Sequence, residues 1–502
     1  MIRNKFSLSH HKLLTCNMGE LTPIGLLEVL PGDSVQMASS ALVRCSPLLT
    51  PVMHPVDVRI HHWFVPHRLV WTDWEAFITG GPDGNNASVA PTISTGGSGV
   101  SVSSLADYLG IPTGVANKSY SALPTRGYQL IWREWYRDQD LETAPTIDLT
   151  DGADTTTTTT LQNCDWEKDY LTSARPWEQK GPSITLPLGT TAPIKGIGIT
   201  GSGNTALTNV SGRETTPLSS PRSFPFSTSP TNATSWLLET DGAAGASQKP
   251  LIYADLSNAT ASSVNILREA FALQRYEEAR ARYGSRYTEY LRYLGVRSSD
   301  ARLQRPEYLG GGRNTIQFSE VLQTGGTSAG AQTGVGNLAG HGLAATRSNR
   351  FRRFFEEHGY IHSFMSIRPK SMYIQGLRRT FNRTTKEDYW QKELEHIGQQ
   401  PVLNKEVYLA HATPEGTFGY QDRYDEYRRE ESWVSGEFRS TLNMWHFARS
   451  FASDPALNAT FVKCVPSEAP FAVNSTNTMW IMVKNSVQAR RMLTRTGHSF
   501  IY

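Results

Sequence analysis

Residues 54–71 read HPVDVRIHHWFVPHRLVW. Within them Val56, Val58, Ile60, His62 and Phe64 alternate with Asp57, Arg59, His61 and Trp63. A period of two, built from β-branched and aromatic residues, specifies a strand with two unlike faces. Pro55 and Pro66 fix its ends. Such a strand is stable only inside a sheet with a covered face, so its pattern commits the chain to layered β structure. Similar runs recur far along the sequence: SVQMASSALVRC (34–45), GYIHSFMSIRP (359–369), EVYLAHAT (406–413) and NTMWIMVKNSVQA (477–489). Helical patterns fall only between them. Ser104 and Asp107 form a capping pair ahead of a stop at Gly110 and Pro112. Tyr128, Ile131, Trp132, Trp135 and Tyr136 share one helical face, and a longer helix starts at Ser262 or Ser263, with Gly284 as its end. The expected class is an all-β sandwich with a few short helices in long connections.

The connections differ in composition. Residues 189–249 are Thr, Ser, Gly, Asn and Pro with few large apolar side chains, which supply little core and suit a surface insertion of short strands and loops. No apolar run is long enough to span a bilayer, so no membrane insertion is expected. The start, MIRNKFSLSHHKLLTC, lacks the apolar stretch of a secretion signal. Four cysteines without metal or redox spacing are expected to be buried thiols. Net charge is only +3, but 36 of the 49 basic residues are Arg and 26 of those lie after residue 250. Arg with aromatics is the composition of interface cores, where planar guanidinium groups pair with carboxylates, phosphates and rings.

Motifs for catalysis or cofactors are weak. His10-His11 and His61-His62 sit on strands, where neighbours point to opposite faces and do not chelate. GVGNLA (334–339) matches a dinucleotide fingerprint only formally, because no strand-turn-helix surrounds it. Glu393 and Glu395 suit acid–base work on a glycan but read more simply as a solvated face. No catalytic residue, metal ligand or cofactor is expected. Two basic clusters suit single-stranded nucleic acid. Arg347, Arg350, Arg352 and Arg353 interleave with Phe351, Phe354 and Phe355. The C-terminal tail, 485–502, carries Arg490, Arg491 and Arg495, and no acid follows Glu468.

Several long stretches, in order, resemble the major capsid protein of the gokushovirus-like microviruses, small icosahedral phages with circular single-stranded DNA. They include LSHHKLLTCNMGELTPIGLLEVLPGDS, LPTRGYQLIWREWYRDQDL, LREAFALQRYEEARARYGSRYTEYL, RLQRPEYLGGGRNTI and FGYQDRYDEYRREESWVSGEFRSTLNMWHFAR. The resemblance implies a single eight-stranded jelly roll over 1–502, a T=1 shell of sixty copies, and an outer protrusion near the three-fold axes at 189–249, with a part in binding a host-cell surface receptor. It also implies a small basic internal DNA-binding protein and a pilot protein as partners. Charge supports the former: about 180 formal positive charges on sixty copies fall short of the roughly 1,500 phosphates that one gene of this length requires. The tyrosine- and arginine-rich run 418–440 is then expected to be a subunit seam, with Tyr420, Arg423, Tyr424, Arg428 and Glu430 as its ties.

Overall fold

The computed structural model describes residues 3–182, 304–322 and 338–495, and short strand and helix segments between 184 and 295. The chain forms two compact units, Met1–Glu178 with Arg280–Tyr502, and Gln179–Ala279. Eleven strands of the first unit make two antiparallel sheets. In chain order they are β1 (Asn4–Ser7), β2 (His10–Cys16), β3 (Thr22–Val29), β4 (Ser34–Cys45), β5 (Val56–Pro66), β6 (Glu307–Thr315), β7 (Gln317–Leu322), β8 (Leu338–Arg347), β9 (Phe351–Phe354), β10 (Gly359–Pro369) and β11 (Met479–Arg491). The larger sheet runs β1 and β2, β11, β4, β8 and β9, then β7; the smaller runs β6, β5, β10, β3.

The period-two pattern sets which side chains meet. Val56, Val58, Ile60, His62 and Phe64 are all fully buried. Val56, Val58 and Ile60 pack with Met365 and Ile367 against Val43, Ile481 and Val483 of the larger sheet, while Phe64 and Ile361 meet Val35, Met37 and Val487. Each such side chain contributes roughly 1.5–3 kcal/mol by leaving water, and a one-residue slip would turn the whole set outward. Asn485 lies in the same layer and donates to the Ile24 carbonyl at 3.1 Å.

The smaller sheet is covered on its other face as well. The helices α1 (Leu105–Leu109) and α2 (Leu123–Trp135) come from the long connection after β5. Ser104 caps α1 by accepting from the Asp107 N–H, and Gly110 ends it in the left-handed region. Tyr128, Ile131 and Trp132 of α2 pack with Trp63, Val65 and Phe364. His61 and His62 point to opposite faces: His61 meets the Tyr136 hydroxyl at 2.6 Å, and His62 sits between the Ser363 and Ser348 hydroxyls. The run 406–413, read as a strand, is instead a short helix, Asn404–Val407, followed by turns. The Glu406 carboxylate accepts from the Leu403 N–H and the Asn404 amide donates to the Thr413 carbonyl, closing the chain into a loop.

In the second unit, Trp236–Leu238 pairs with Ile197–Ile199, and Asn209–Gly212 with Arg222–Pro225. Ile194–Lys195 pairs with Tyr253–Ala254. The remainder of the expected insertion, 189–249, lies outside the described residues, as does most of the glycine-rich run near 325–342. The long helix spans Val264–Tyr283.

Burial leaves a pH signature. It pulls His54, His61, His62 and His67 down to about 4 and His362 to about 3. Unfolded, these imidazoles take up protons near pH 6.5, so their contribution is complete above that value and is lost as pH falls toward 3–4. Burial also raises Asp165 to about 8 and Glu406 to about 7, so those two cost stability as pH rises from about 4 through those values. Five histidines outweigh two carboxylates below pH 6.5. Urea midpoints are expected to peak near pH 6.5 and to fall clearly by pH 4.5; equal midpoints at pH 6.5 and 4.5 would contradict this.

Candidate nucleic-acid interface

The larger sheet has one face in the core and one open. On β11, Trp480, Met482, Lys484, Gln488 and Arg490 are exposed, alternating with buried Ile481, Val483, Val487 and Ala489. Strand register aligns the outward side chains into rows. One row is Lys5, Arg490, Ser34 and Phe354; the next is Ser7, Gln488, Gln36 and Arg352. Further along come His11, Lys484, Ser40 and Arg347, then Leu13, Met482, Leu42 and Ala345, then Thr15, Trp480, Arg44 and Leu343. The seven strands carry nine Lys and Arg and three His. Their single acid is Glu320, which alternates onto the same side as Phe318, a side chain that packs against the core.

Two hollows open on this face. One, of about 380 Å³, is lined by His11, Ser40, Arg347 and Lys484. The other, of about 520 Å³, is lined by Leu13, Leu42, Arg44, Val102, Trp480 and Met482. Leu13 is 80% exposed and Trp480 44%. Asp107 reaches the rim of the second hollow from α1, where its carboxylate accepts the Ser103 N–H. Beneath, the Lys12 ammonium donates to the Pro23 and Tyr108 carbonyls, and burial pulls it down to about 8. Cations for phosphates beside an aromatic face for bases are the two elements of a single-strand track.

The sequence-expected arginines divide. Arg347, Arg352 and Arg490 stand on the open face. Arg350 is exposed in the link between β8 and β9, and Arg495 is exposed beyond β11. Arg353 points the other way and pairs with Glu307 at 2.8 Å. Arg491 pairs with Asp33 at 3.0 Å and donates to the Glu28 carbonyl. Sequence reasoning missed Lys5, Arg44 and Trp480, and took His11 only for a metal candidate. Alternation within 10–16 and 34–45 was the available signal. Among the described residues no three His, Cys, Asp or Glu gather to hold a metal ion, and no helix is long and apolar enough to cross a membrane.

Comparison with known proteins decides the identity. The profile of the phage capsid protein (F protein) family matches residues 1–500. The chain belongs to this capsid protein family. It is 37% identical over 487 residues to capsid protein VP1 of Bdellovibrio phage phiMH2K, covering 92% of this chain and 88% of that one. It is 33% identical over 543 residues to VP1 of Chlamydia phage 1, covering 92% and 89%, and 31% identical over 493 to VP1 of Spiroplasma virus 4, covering 92% and 87%. The chain is thus a microvirus major capsid protein and resides in the virion.

In this capsid protein the expected seam residues make ties within the chain. Tyr424, at φ 62°, is buried and donates its hydroxyl to the Glu387 and Tyr389 carbonyls at 3.1 and 3.0 Å. The Arg423 guanidinium lies over its ring at 5.4 Å. Arg428 pairs with Glu395 at 3.2 Å and Asp425 at 3.7 Å, and Glu430 pairs with Arg378. Tyr420 exchanges two backbone hydrogen bonds with Arg175. These ties leave large apolar side chains outside: Phe381, Tyr389, Trp390, Ile397, Tyr427 and Trp433 are all about half exposed or more.

Proposed function

We propose that this capsid protein closes into a T=1 shell of sixty copies around circular single-stranded DNA, with the open face of the larger sheet turned inward against the DNA. The observation that carries it is that, among the described residues, the outward side chains of the seven strands include bases but no acid, with Asp107 of α1 only at the rim of one hollow, although the chain as a whole is nearly neutral. Arg44, Arg347, Lys484 and His11 are the central phosphate contacts, Arg352 extends them, and Trp480 offers a ring for stacking. Arg350 and Arg495 flank the same track.

The framework is an eight-stranded jelly roll. Taking β2, β3, β4, β5, β6, β8, β10 and β11 as strands one to eight, the larger sheet has the order 1-8-3-6 and the smaller 2-7-4-5. Those interleaved orders are two Greek keys folded together. β1, β7 and β9 extend the larger sheet.

The exposed aromatic patch of 381–433, held by Tyr420, Arg423, Tyr424, Arg428 and Glu430, is a contact between subunits. Large apolar side chains braced by internally paired arginines suit an interface core better than a solvated surface. Residues 189–249 form an outer protrusion near the three-fold axes that contributes to binding a host-cell surface receptor; polar, coreless composition supports this. A small basic protein supplies the DNA neutralisation that sixty nearly neutral chains lack, and a pilot protein serves DNA entry. The protein acts by assembly and not by catalysis.

Sedimentation of the full chain, expressed with the phage's other structural products, tests the reading. It predicts particles tens of times heavier than 55.8 kDa that contain DNA. Monomers under every assembly condition would overturn it.

A further inference from the structure

One end of the sandwich is charged in two halves. It is held together where the β3–β4 turn meets the chain before β10: the Gly32 N–H donates to the Phe355 carbonyl and the Phe355 N–H to the Asp33 carbonyl, both at 2.8 Å. On one side Arg491 grips Asp33, and Met492 packs on Gly32. Lys5 and Arg490 stand there opposite each other in register, exposed, with Arg3 over the Phe354 ring at 4.8 Å. On the other side His67 and His358 join β5 to β10, Arg68 pairs with Glu357, and the rings of both histidines abut Trp74. From there the chain carries no Lys, Arg or His over residues 69–117, and Asp73 and Glu75 open that stretch.

Both halves also expose apolar side chains. Phe354 and Leu493 are 45% and 52% exposed on the basic side, and Phe77 and Ile78 are 40% and 49% exposed on the acidic side. Among the described residues, Lys5, Arg490, Asp73 and Glu75 have no ion-pair partner. A surface whose basic apolar half adjoins an acidic apolar half is complementary to itself after a half-turn. That is the requirement for an isologous contact, in which each half of one copy meets the other half of its mate. Opposite charges there set register and suppress wrong pairings, and the apolar side chains supply burial.

We infer that this end of the sandwich is the two-fold contact between copies of this chain, with Lys5 and Arg490 of one copy facing Asp73 and Glu75 of the other. The inference rests on the capsid reading and specifies one of its contacts. It assigns Arg490 to a protein neighbour and not to DNA.

Two variants of the full chain test it. One carries Lys5→Glu and Arg490→Glu; the other carries Asp73→Lys and Glu75→Lys. Sedimentation equilibrium at low salt, below the concentration at which particles form, reads the dimer. Wild type is expected to dimerise, and each variant alone to dissociate at least about tenfold more readily. An equimolar mixture is expected to recover wild-type association, because the reversed halves now match; a merely misfolded variant would not be rescued. Three results would overturn the inference: a wild type that stays monomeric in that range, variants that associate as wild type does, or a mixture that stays dissociated. Loss of packaged DNA in the Lys5→Glu, Arg490→Glu variant with unchanged association would assign these bases to DNA instead. Wild-type particle formation is scored separately. Its success with unaffected variants would sink only this contact, and its failure would sink the capsid reading.

Discussion

Replacing Arg126 with methionine is expected to cost about 3–5 kcal/mol, a large part of the 5–15 kcal/mol that holds a typical domain folded. Arg126 is fully buried on α2. Its Nε donates to the Asp154 carboxylate at 2.8 Å, and its Nη1 to the Val70 and Thr150 carbonyls at 3.0 Å. It therefore pins the chain just after β5, at Val70, and the segment 150–154 beyond α2 to the helix that covers the smaller sheet. Burial disfavours the charged Asp154, but hydrogen bonds from Thr157 and Arg126 outweigh it and hold the carboxyl below its usual range. Without Arg126 that charge has no compensating cation, and two carbonyls lose their donor. Replacing both partners, Arg126→Met with Asp154→Leu, is expected to recover part of the loss, since an apolar pair leaves no stranded charge. Urea unfolding of the three chains checks this. Methionine alone at position 126 with a wild-type midpoint would refute it.

Replacing Arg44, Arg347 and Lys484 together with glutamine is expected to leave assembly intact and to empty the particles. All three point away from the core, so folding loses no packing. Each cation that engages a phosphate of single-stranded DNA adds about 0.7 to the salt slope of binding, so three removals are expected to flatten it by about 2 for each subunit. The ratio of absorbance at 260 and 280 nm in purified particles should fall toward that of protein alone. Filled particles from the triple variant would show that the open face does not hold the DNA.

Sequence disclosed the sheets better than the site. The register of β5 was legible because Val56 to Phe64 alternate without interruption; Val56, Val58, Ile60, His62 and Phe64 all face the core, while Asp57 and Trp63 of the other face are buried as well, under the connection that covers it. The run 406–413 misled because its apolar spacing fits a strand as well as a turn, and what decides is Glu406 reaching back to the Leu403 N–H. The eight-strand expectation came from resemblance; the two sheets hold eleven strands, because β1, β7 and β9 lengthen one of them. The open face was hidden for a different reason. Lys5, His11, Arg44, Arg347 and Lys484 are scattered along almost the whole chain, and only register brings them together. Arg353 and Arg491 looked identical to their neighbours in sequence. Their partners, Glu307 and Asp33, lie 46 and 458 residues away.

The most direct measurement is electron cryomicroscopy of the purified particle, reconstructed without imposing the chain's placement. The account requires a closed shell in which the rows through Trp480, Lys484 and Arg347 line the cavity and touch nucleic-acid density. A shell that turns these rows outward, or buries them against another protein with the DNA elsewhere, would contradict it.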